Sequence, residues 1–348
     1  MSHEVLYRKY RPHTFAEVAG QEHIVSALEN QVKTGNFGHA YLFYGSRGTG
    51  KTSVARIFAR ALGCTDKDLY EIDAASNNGI DDVRELRDGV RTLPFESPLK
   101  VYLIDEVHML SKPAFNALLK TLEEPPAHVV FILATTELHK VPDTIISRCQ
   151  MQTFYRPSSE VLADVVKKIT KKEGSKIDTE GARLVAFLGD GSFRDTLGVL
   201  QKVLAGTGEG EITVEIVANI TGVPEVSQIH SFLLALLDAR AAEALEILEK
   251  IATHNRDIKI FSRRVLDELR LAMLIKYAPE MRKEIEQIAD KERLAFFTQL
   301  ATHPNSTKIS AVLKELLESH DLIGTTSLAQ IPLELAVVSI TEKLKHAQ

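Results

Sequence analysis

The sequence predicts an α/β domain with a parallel sheet at the N-terminus, followed by an all-α remainder. Four short predicted strands, at 40–44, 69–75, 100–104 and 129–134, alternate with segments of helical periodicity, and the first, third and fourth of them are continuous apolar runs. Continuous apolar strands that alternate with helices are typical of a parallel sheet covered on both faces. From residue 158 onward strand patterns largely vanish and amphipathic helices follow one another.

A glycine-rich segment, residues 45–52, comes directly after the first apolar run and reads Gly-Ser-Arg-Gly-Thr-Gly-Lys-Thr. It satisfies every fixed position of the G-x-x-x-x-G-K-[ST] pattern, and a predicted helix over 53–62 follows it. Strand, glycine loop and helix in this order direct backbone N–H groups and a helix N-terminus toward a phosphate. We therefore predict that a nucleotide contacts Gly45, Ser46, Arg47, Gly48, Thr49, Gly50, Lys51, Thr52 and Ser53.

Polar residues at the ends of the predicted strands complete this site. Lys51 is expected to bridge the β- and γ-phosphates, and the Thr52 hydroxyl is expected to ligate Mg²⁺. Asp105 and Glu106 end the third predicted strand. In nucleoside triphosphatases with this glycine-rich pattern an acid at the end of such a strand holds Mg²⁺, and Asp105 suits that role. Glu106, one residue further on, suits polarising the attacking water. Thr136 follows the fourth run, where it could bond the γ-phosphate or the water, or be an ordinary threonine of a turn.

The remaining elements follow from apolar spacing and from capping residues. Gly35 ends the first long helix, while Ser111 and Ser192 are N-cap candidates, the former with Pro113 just inside its helix. The predicted helices are 21–33, 53–62, 81–90, one from Ser111 to the acids before Pro125, 159–173, 178–188, 192–203, a short segment 212–220, 229–237, 241–251, 258–275, 280–302, 306–320 and one from Pro332.

Two arginines leave alternatives open. Arg148 follows an apolar segment, where a surface ion pair is the commoner role and a catalytic role the alternative. Arg194 lies in the first turn of a predicted helix, where a cation opposes the helix dipole and so suggests an anionic contact. Its alternative is an ion pair with Asp190 or Asp195.

Composition narrows the class of protein. The net charge of −5 gives no overall basic footprint, so any nucleic-acid contact must be local. Two cysteines imply no disulfide framework. The sequence has no N-terminal signal region, and no run approaches the roughly 20 apolar residues that span a bilayer. We expect a cytoplasmic protein without a membrane contact.

With these residues laid out, the chain resembles the bacterial DNA polymerase III gamma/tau family, the AAA+ ATPases of the clamp loader. The likeness runs almost end to end, and the Ser-Arg-Cys motif and the long Asp-Glu-Val-His-Met-Leu to Leu-Glu-Glu-Pro-Pro block are its most specific parts. The matching segments are 7–12, 14–15, 20–22, 71–76, 104–111, 116–126, 147–149 and 191–195.

The resemblance implies a domain plan and roles for the weaker candidates. It implies an AAA+ P-loop nucleotide-binding domain at 1–157, a small helical lid domain at 158–222 and a helical collar domain at 223–348. Arg148 becomes the arginine finger of the neighbouring subunit's site, while Thr136 and Arg194 become the first and second sensors. The basic, aromatic N-terminal arm, which from the residues alone is either packing or an adenine wall, gains a nucleotide-pocket role at Tyr10, Arg11 and Pro12.

The resemblance also implies an activity and partners. The chain would bind ATP with Mg²⁺ and hydrolyse it to load a sliding clamp onto primer–template DNA during DNA replication. Its partners would be the other clamp-loader subunits of a hetero-pentameric ring, within the DNA polymerase III holoenzyme, a DNA-directed DNA polymerase and transferase. The helix after 76–79 is one candidate for DNA contact, although its first acids oppose close phosphate contact.

One departure from the family concerns metal. Members often carry a zinc module of about four cysteines between the first helix and the strand at 71. Here Cys64 alone remains in that region, and Cys149 is not at zinc-ligand spacing. We therefore predict no structural zinc.

Two other functions remain as alternatives. A silent structural subunit of the loader is disfavoured by the intact Gly50, Lys51, Thr52, Asp105 and Glu106. A different AAA+ motor, for branch migration or initiation, would usually append a DNA-binding helix-turn-helix, whereas the tail here resembles a collar.

Overall fold

The computed structural model describes residues 4–79, 86–208, 210–253, 256–288 and 291–345. The chain forms two compact units, Met1–Val217 and Ala218–Gln348. The predicted helix over 81–90 lies partly outside the described residues. The division into three domains stays a prediction.

The first unit contains the predicted alternation of strands and helices. Its elements are α1 (Leu6–Lys9), α2 (Glu22–Thr34), β1 (Ala40–Gly45), α3 (Lys51–Ala61), β2 (Leu69–Asp73), β3 (Lys100–Asp105), α4 (Lys112–Glu123), β4 (Val129–Thr135), α5 (Asp143–Ile146), β5 (Gln150–Phe154), α6 (Ser159–Lys172), β6 (Lys176–Ile177), α7 (Thr179–Leu188), α8 (Phe193–Gly206) and β7 (Glu211–Ile212).

The five-stranded sheet has the order β2-β3-β4-β1-β5, and every neighbouring pair is parallel, which confirms the predicted fold class. Strand β5 was not expected. Its sequence, Gln-Met-Gln-Thr-Phe, is largely polar because it forms an edge, so it has no continuous apolar run. The two-residue pair β6 and β7 was also missed, since two residues carry no periodicity.

Helices cover both faces of this sheet, which explains why its central strands read as continuous apolar runs. In β1, Leu42 belongs to the core cluster shared with α4, while Phe43 belongs to the cluster shared with α3. In β4, Phe131 and Ile132 divide between the two clusters in the same way. Each of these side chains is fully buried.

The predicted helix caps are present. The Ser111 hydroxyl accepts a hydrogen bond from the Ala114 amide (3.4 Å), and the Ser192 hydroxyl accepts one from the Asp195 amide (3.2 Å). Gly35 ends α2 in the left-handed conformation. Helix α3 begins two residues earlier than expected, at Lys51, so the loop lysine is itself the first helical residue.

The second unit is helical, and α9 (Val214–Thr221) leads into it. Its helices are α10 (Val226–Leu237), α11 (Ala241–Thr253), α12 (Ile258–Tyr277), α13 (Arg282–Ile288), α14 (Lys291–Thr302), α15 (Ile309–Leu322) and α16 (Ile331–Lys345). The segment predicted as one helix over 280–302 includes α13 and α14, and residues 289–290 between them lie outside the described residues. Of the described helices, none is by itself long and apolar enough to cross a membrane; the bent pair α9 and α10 passes that test only jointly.

A buried ionic cluster lies within the second unit. Glu268 on α12 is fully buried, and its Oε1 accepts hydrogen bonds from Arg293 Nε (3.1 Å) and Nη2 (2.7 Å). Burial alone would raise the pKa of Glu268, but His230, Arg293 and Arg264 hold that pKa below its ordinary value. The carboxylate is therefore paired as a buried charge must be.

A second buried carboxylate organises a loop of the first unit. Asp68 precedes β2 and is fully buried. Its Oδ1 accepts from the Phe95 amide (2.6 Å), and its Oδ2 accepts from the Glu96 (3.0 Å) and Ser97 (2.9 Å) amides. Burial would raise the pKa of Asp68, but these donors outweigh it and lower the pKa to about 2. The carboxylate thereby fixes the loop before β3.

We predict that Asp68→Asn destabilises the first unit by about 1–3 kcal/mol at pH 7, because an amide donor would face two backbone donors. Because the folded pKa lies below the ordinary value of about 3.9, the carboxylate stabilises the fold above that pH. The difference between the two proteins should therefore shrink as pH falls from about 4 toward 2. Urea unfolding at each pH measures the difference in the free energy of unfolding, and hydrogen exchange of the 95–97 amides reports on the loop itself.

Asp66→Asn is the matched control, because that carboxylate is 77% exposed and its ion pair with Arg60 is solvated. We expect this variant to change the free energy of unfolding by less than about 1 kcal/mol. An Asp68→Asn protein as stable as the wild type at pH 7 would show that the loop does not depend on this carboxylate.

Candidate active site

A cleft of about 630 Å³ lies within the first unit, at the carboxyl ends of the strands. The glycine-rich loop and the strand ends line one part of it, and the N-terminal arm and helices α6 and α8 line the rest. The lining residues are Tyr7, Arg8, Tyr10, Arg11, Pro12, Glu17, Val18, Ala19, 47–54, Arg56, Glu71, Ile72, Asp73, Leu103, Asp105, Glu106, Val165, Ile169, Phe193, Arg194 and Leu197.

Two glycines of the loop have no room for a side chain. A Cβ on Gly45 would lie 2.8 Å from the Phe154 Cβ, because β5 pairs directly alongside. Gly48 has a φ of +74°, and a Cβ there would meet the Ser192 hydroxyl and lie 2.9 Å from the Ser192 Cβ. The Gly48 carbonyl also accepts a hydrogen bond from the Phe193 amide (2.9 Å). The loop therefore packs directly on the start of α8.

Lys51 is buried at the bottom of the loop. Its ammonium donates hydrogen bonds to the carbonyls of Gly45 (2.8 Å) and Ser46 (3.0 Å). Burial lowers the pKa of Lys51, while the carboxylates of Glu106 and Asp105 act in the opposite direction. The amine is thus held inside the loop, beside the backbone groups that a phosphate would contact.

The Thr52 hydroxyl donates a hydrogen bond to Asp105 Oδ2 (2.8 Å). Thr52 lies in the first turn of α3, and Asp105 ends β3, so residues 53 positions apart meet here. A hydroxyl and a carboxylate oxygen are the hard ligands that Mg²⁺ prefers. This pair therefore fits the predicted metal position.

Glu106 lies in the left-handed region, with φ 48°, which is strained for a residue that is not glycine. Its Oε2 accepts a hydrogen bond from the Thr136 hydroxyl (3.1 Å) and lies 3.5 Å from His108 Nδ1. His108 is largely buried and lies 3.3 Å from Glu137 as well. The strained backbone and the hydroxyl together direct this carboxylate to one position.

The N-terminal arm closes the cleft on a third side. Tyr10, Arg11 and Pro12, to which the resemblance gave a nucleotide-pocket role, all line it. The Tyr10 hydroxyl donates a hydrogen bond to Glu173 Oε1 (2.5 Å), at the end of α6, so its polar group is engaged. The apolar residues Val18, Ala19, Val165, Ile169 and Leu197 line the cleft as well. This surface suits a flat, weakly polar ring.

Cations are concentrated in the cleft although the chain is acidic overall. Burial lowers the pKa of the Arg11 guanidinium, and the nearby charges of Arg56, Arg194 and Arg8 lower it further, against the opposing effect of Glu71. Groups that repel each other in this way favour a polyanionic ligand, which relieves the repulsion. The local charge therefore suits a chain of phosphates.

Arg194 extends into the cleft from the first turn of α8, and its guanidinium lies 5.9 Å from the centre of the Tyr7 ring. Asp190, one of the two acids named above as its alternative partners, lies 3.6 Å from Arg156. The place of Arg194 in the cleft wall favours the anionic contact over the ion pair.

Arg148 does not line this cleft. It follows α5 and contacts Glu123 at the end of α4, with Nη2 2.6 Å from Glu123 Oε1. Within a single chain the structure therefore shows the ion pair, and any part in hydrolysis would have to be played at a different molecule's cleft. The neighbouring Cys149 is half-buried, and burial raises the pKa of its thiol to about 12.

Sequence reasoning missed several residues that hold the site together. Gln21 is fully buried; its Nε2 donates to the Tyr155 carbonyl (2.7 Å) and its Oε1 accepts from the Tyr155 amide (3.3 Å). His108 was not assigned a role, nor were Arg56 and Glu71, whose side chains pair on the cleft wall at 2.5 Å. A buried glutamine, an isolated histidine and a separated ion pair leave no local pattern.

Comparison with known protein families matches both parts of the chain. Residues 20–79 and 67–158 match the family described as DNA polymerase III, delta subunit. Residues 212–346 match DNA polymerase III subunits gamma and tau domain III. The two matches together cover most of the chain.

Curated relatives give the same result. The chain is 39% identical over 363 residues to DNA polymerase III subunit tau of Bacillus subtilis, covering 98% of this chain and 64% of that protein. It is 38% identical to DNA polymerase III subunit gamma of Buchnera aphidicola, covering 81% of this chain and 82% of that protein. With the tau subunit of Escherichia coli the identity is 37%, over 46% of that protein's length. The chain thus spans about half to two thirds of the tau relatives it matches.

Among solved structures, the RuvB Holliday junction branch migration motor of Thermotoga maritima is similar, with a TM-score of 0.53 and 20% sequence identity. The likeness covers 66% of this chain and 79% of that chain. At this identity the likeness shows a shared fold and nothing finer.

We predict that Gly48→Ala lowers nucleotide affinity at least about tenfold, because the left-handed backbone is strained for alanine and the methyl group would collide with Ser192. Titration of the purified chain with a fluorescent ATP analogue measures the affinity. Thermal unfolding of the same samples separates a loss of binding from a loss of folding.

Gly198→Ala is the matched control, since Gly198 lies in α8 with open space around its Cβ position. It should bind nucleotide like the wild type and be more stable by about 0.5–1 kcal/mol. Unchanged affinity in Gly48→Ala would mean that the contact between loop and α8 does not shape the nucleotide site.

Proposed function

Since the chain belongs to the family of bacterial DNA polymerase III gamma and tau subunits, we propose that it is an ATP-hydrolysing subunit of a clamp loader. In this proposal it uses ATP to place a sliding clamp on primed DNA during replication. The observation that carries the proposal is the contact between Thr52 and Asp105 beside the buried Lys51, which brings residues suited to phosphate and Mg²⁺ together in one cleft.

The residues of the cleft divide by chemistry into a phosphate end and a base end. Backbone N–H groups of the loop and the N-terminus of α3 bind the phosphates, and Lys51 leaves its carbonyl partners to neutralise them. The arm residues Tyr10, Arg11 and Pro12 and the apolar wall take the base. Arg194 adds a charge from α8, so nucleotide binding couples the position of α8 to the loop.

The donor set of Thr52 and Asp105 fits Mg²⁺, as the family implies. When bound, the ion supplies charge neutralisation at the phosphate oxygens. The chain's own part is to keep both ligands in place, which the hydrogen bond between them already does.

Hydrolysis requires an oriented water, and Glu106 is the group placed to accept its proton. The Thr136 hydroxyl fixes one oxygen of that carboxylate and so directs the other. Thr136 acts in this proposal through Glu106 as well as on the phosphate. This refines the sensor role that the sequence resemblance implied.

In triphosphatases of this class an arginine finger, supplied by another protein or subunit in many cases, stabilises the charge that develops on the transferred phosphoryl group. We assign that role to Arg148 of a neighbouring subunit, because Arg148 lies away from its own cleft. The neighbours are proposed to be clamp-loader subunits in a hetero-pentameric ring held by the collar at 223–348, with a lid at 158–222 above the AAA+ domain at 1–157. Sliding clamp and primer–template DNA are the proposed partners, in the bacterial cytoplasm where replication takes place. No structural zinc is proposed.

We predict that Arg148→Ala abolishes the stimulation of ATP hydrolysis by clamp and primed DNA in the reconstituted loader. The expected loss is about 10³-fold, the usual contribution of an arginine finger. ATP binding to the purified chain should be unchanged, since Arg148 does not line the cleft. Hydrolysis is followed by phosphate release, and binding by a fluorescent analogue.

Glu106→Gln serves as the comparison, because it should abolish hydrolysis at every site while ATP binding persists. A loader that is stimulated normally with Arg148→Ala would remove the arginine-finger assignment. Equal, unstimulated rates for the wild type would instead favour a silent structural subunit or another motor over the proposed function.

A further inference from the structure

Arg148 is held by acceptors from two different elements. Its Nη1 donates to the Thr144 carbonyl (2.8 Å) and lies 3.4 Å from the Ser147 hydroxyl, both in its own turn. Its Nη2 donates to Glu123 Oε1 (2.6 Å), which belongs to α4. The backbone beneath is fixed too, because the Arg148 amide donates to the carbonyl of the fully buried Ile145.

Glu123 stands where a carboxylate is otherwise unfavourable. It is the last residue of α4, and the C-terminal end of a helix repels negative charge. The next residue, Glu124, adds a second acid at the same end. An exposed ion pair contributes little to folding, so stability does not account for an acid at this position. The contact with Arg148 does.

The geometry leaves Arg148 able to bind a phosphate while it is held. A guanidinium has five N–H donors, and at most three are engaged by Thr144, Ser147 and Glu123. The Nε–H and one Nη2–H remain. Glu123 therefore orients the Arg148 side chain and leaves these two N–H donors for a phosphate. It does not compete with the phosphate for the guanidinium.

We infer that Glu123 is a positioning residue for Arg148, and that it acts on the nucleotide site of the neighbouring subunit. The inference rests on the arginine-finger role proposed above. Glu123 and Thr144 restrict the long arginine side chain before the subunits meet, so less rotamer freedom is lost when its guanidinium reaches the phosphate. The effect falls on the chemical step and not on ATP binding.

The test is ATP hydrolysis by the reconstituted loader, with clamp and primed DNA, for three variants. Glu123→Ala removes the acceptor and should lower kcat about three- to tenfold at unchanged KM for ATP. Glu123→Gln keeps an amide oxygen as acceptor and should restore most of the rate. Glu124→Ala removes the neighbouring acid, which is not among the hydrogen-bond and ion-pair partners of Arg148, and should match the wild type.

A double-mutant cycle decides between positioning and a general effect. In the Arg148→Ala background, Glu123→Ala should cause no further loss, since the group it orients is absent. If Arg148→Ala lowers the stimulated rate but Glu123→Ala does not, the positioning role is wrong and the proposed function stands. If Glu123→Ala and Glu124→Ala lose rate equally, or Glu123→Ala loses further rate without Arg148, the role is also overturned. If Arg148→Ala itself has no effect, both assignments fail.

Discussion

The hydrogen bond between Thr52 and Asp105 depends on the order of the strands, and the rest of the site depends on it in turn. Asp105 ends β3, and Thr52 follows β1 through the glycine loop; β4 lies between the two strands. All three strands are parallel and in register, so their carboxyl ends meet at one edge. A strand order that moved β1 away from β3 would separate a hydroxyl and a carboxylate that together fit a metal.

The cleft contains buried and mutually repelling charges, which are unfavourable for folding. Lys51 is buried, two carboxylates lie near it, and Arg11, Arg56 and Arg194 crowd the opposite wall. Glu106 adds backbone strain at the same place. Such costs are typical of sites that are completed by a ligand, since a bound triphosphate would relieve the repulsion among the cations. The stability given up here is offset by the apolar core on both faces of the sheet.

In the proposed mechanism one chain supplies most of the catalytic residues of a site, and a neighbouring chain supplies Arg148. Arg148 lies outside the cleft, on a rigid turn and against Glu123, where it serves no group of its own site. A cation fixed in advance on the surface is suited to act on another molecule, because the cost of ordering it is already met. Glu123 and Glu124 lie at the C-terminal end of a helix, where negative charge is unfavourable. The inferred role of Glu123 gives a reason for an acid there, because it orients Arg148 toward the neighbouring subunit that the family implies.

The sequence by itself determined the fold class, the glycine loop and the acids at the strand ends, because apolar periodicity and capping chemistry are local properties. The central strands and most helices lie close to their predicted positions, and Lys51, Thr52, Asp105 and Arg194 meet as expected. Edge strand β5 was missed because an exposed edge is polar.

Only the tertiary structure decided which distant residues meet. The support of the loop by Gln21, the direction of Glu106 by Thr136 and the pairing of Arg148 with Glu123 join residues 25 or more positions apart. Contacts at that separation are set by packing and strand order, which leave no periodic trace in the chain. The sequence therefore names the chemical groups, and the fold decides their partners.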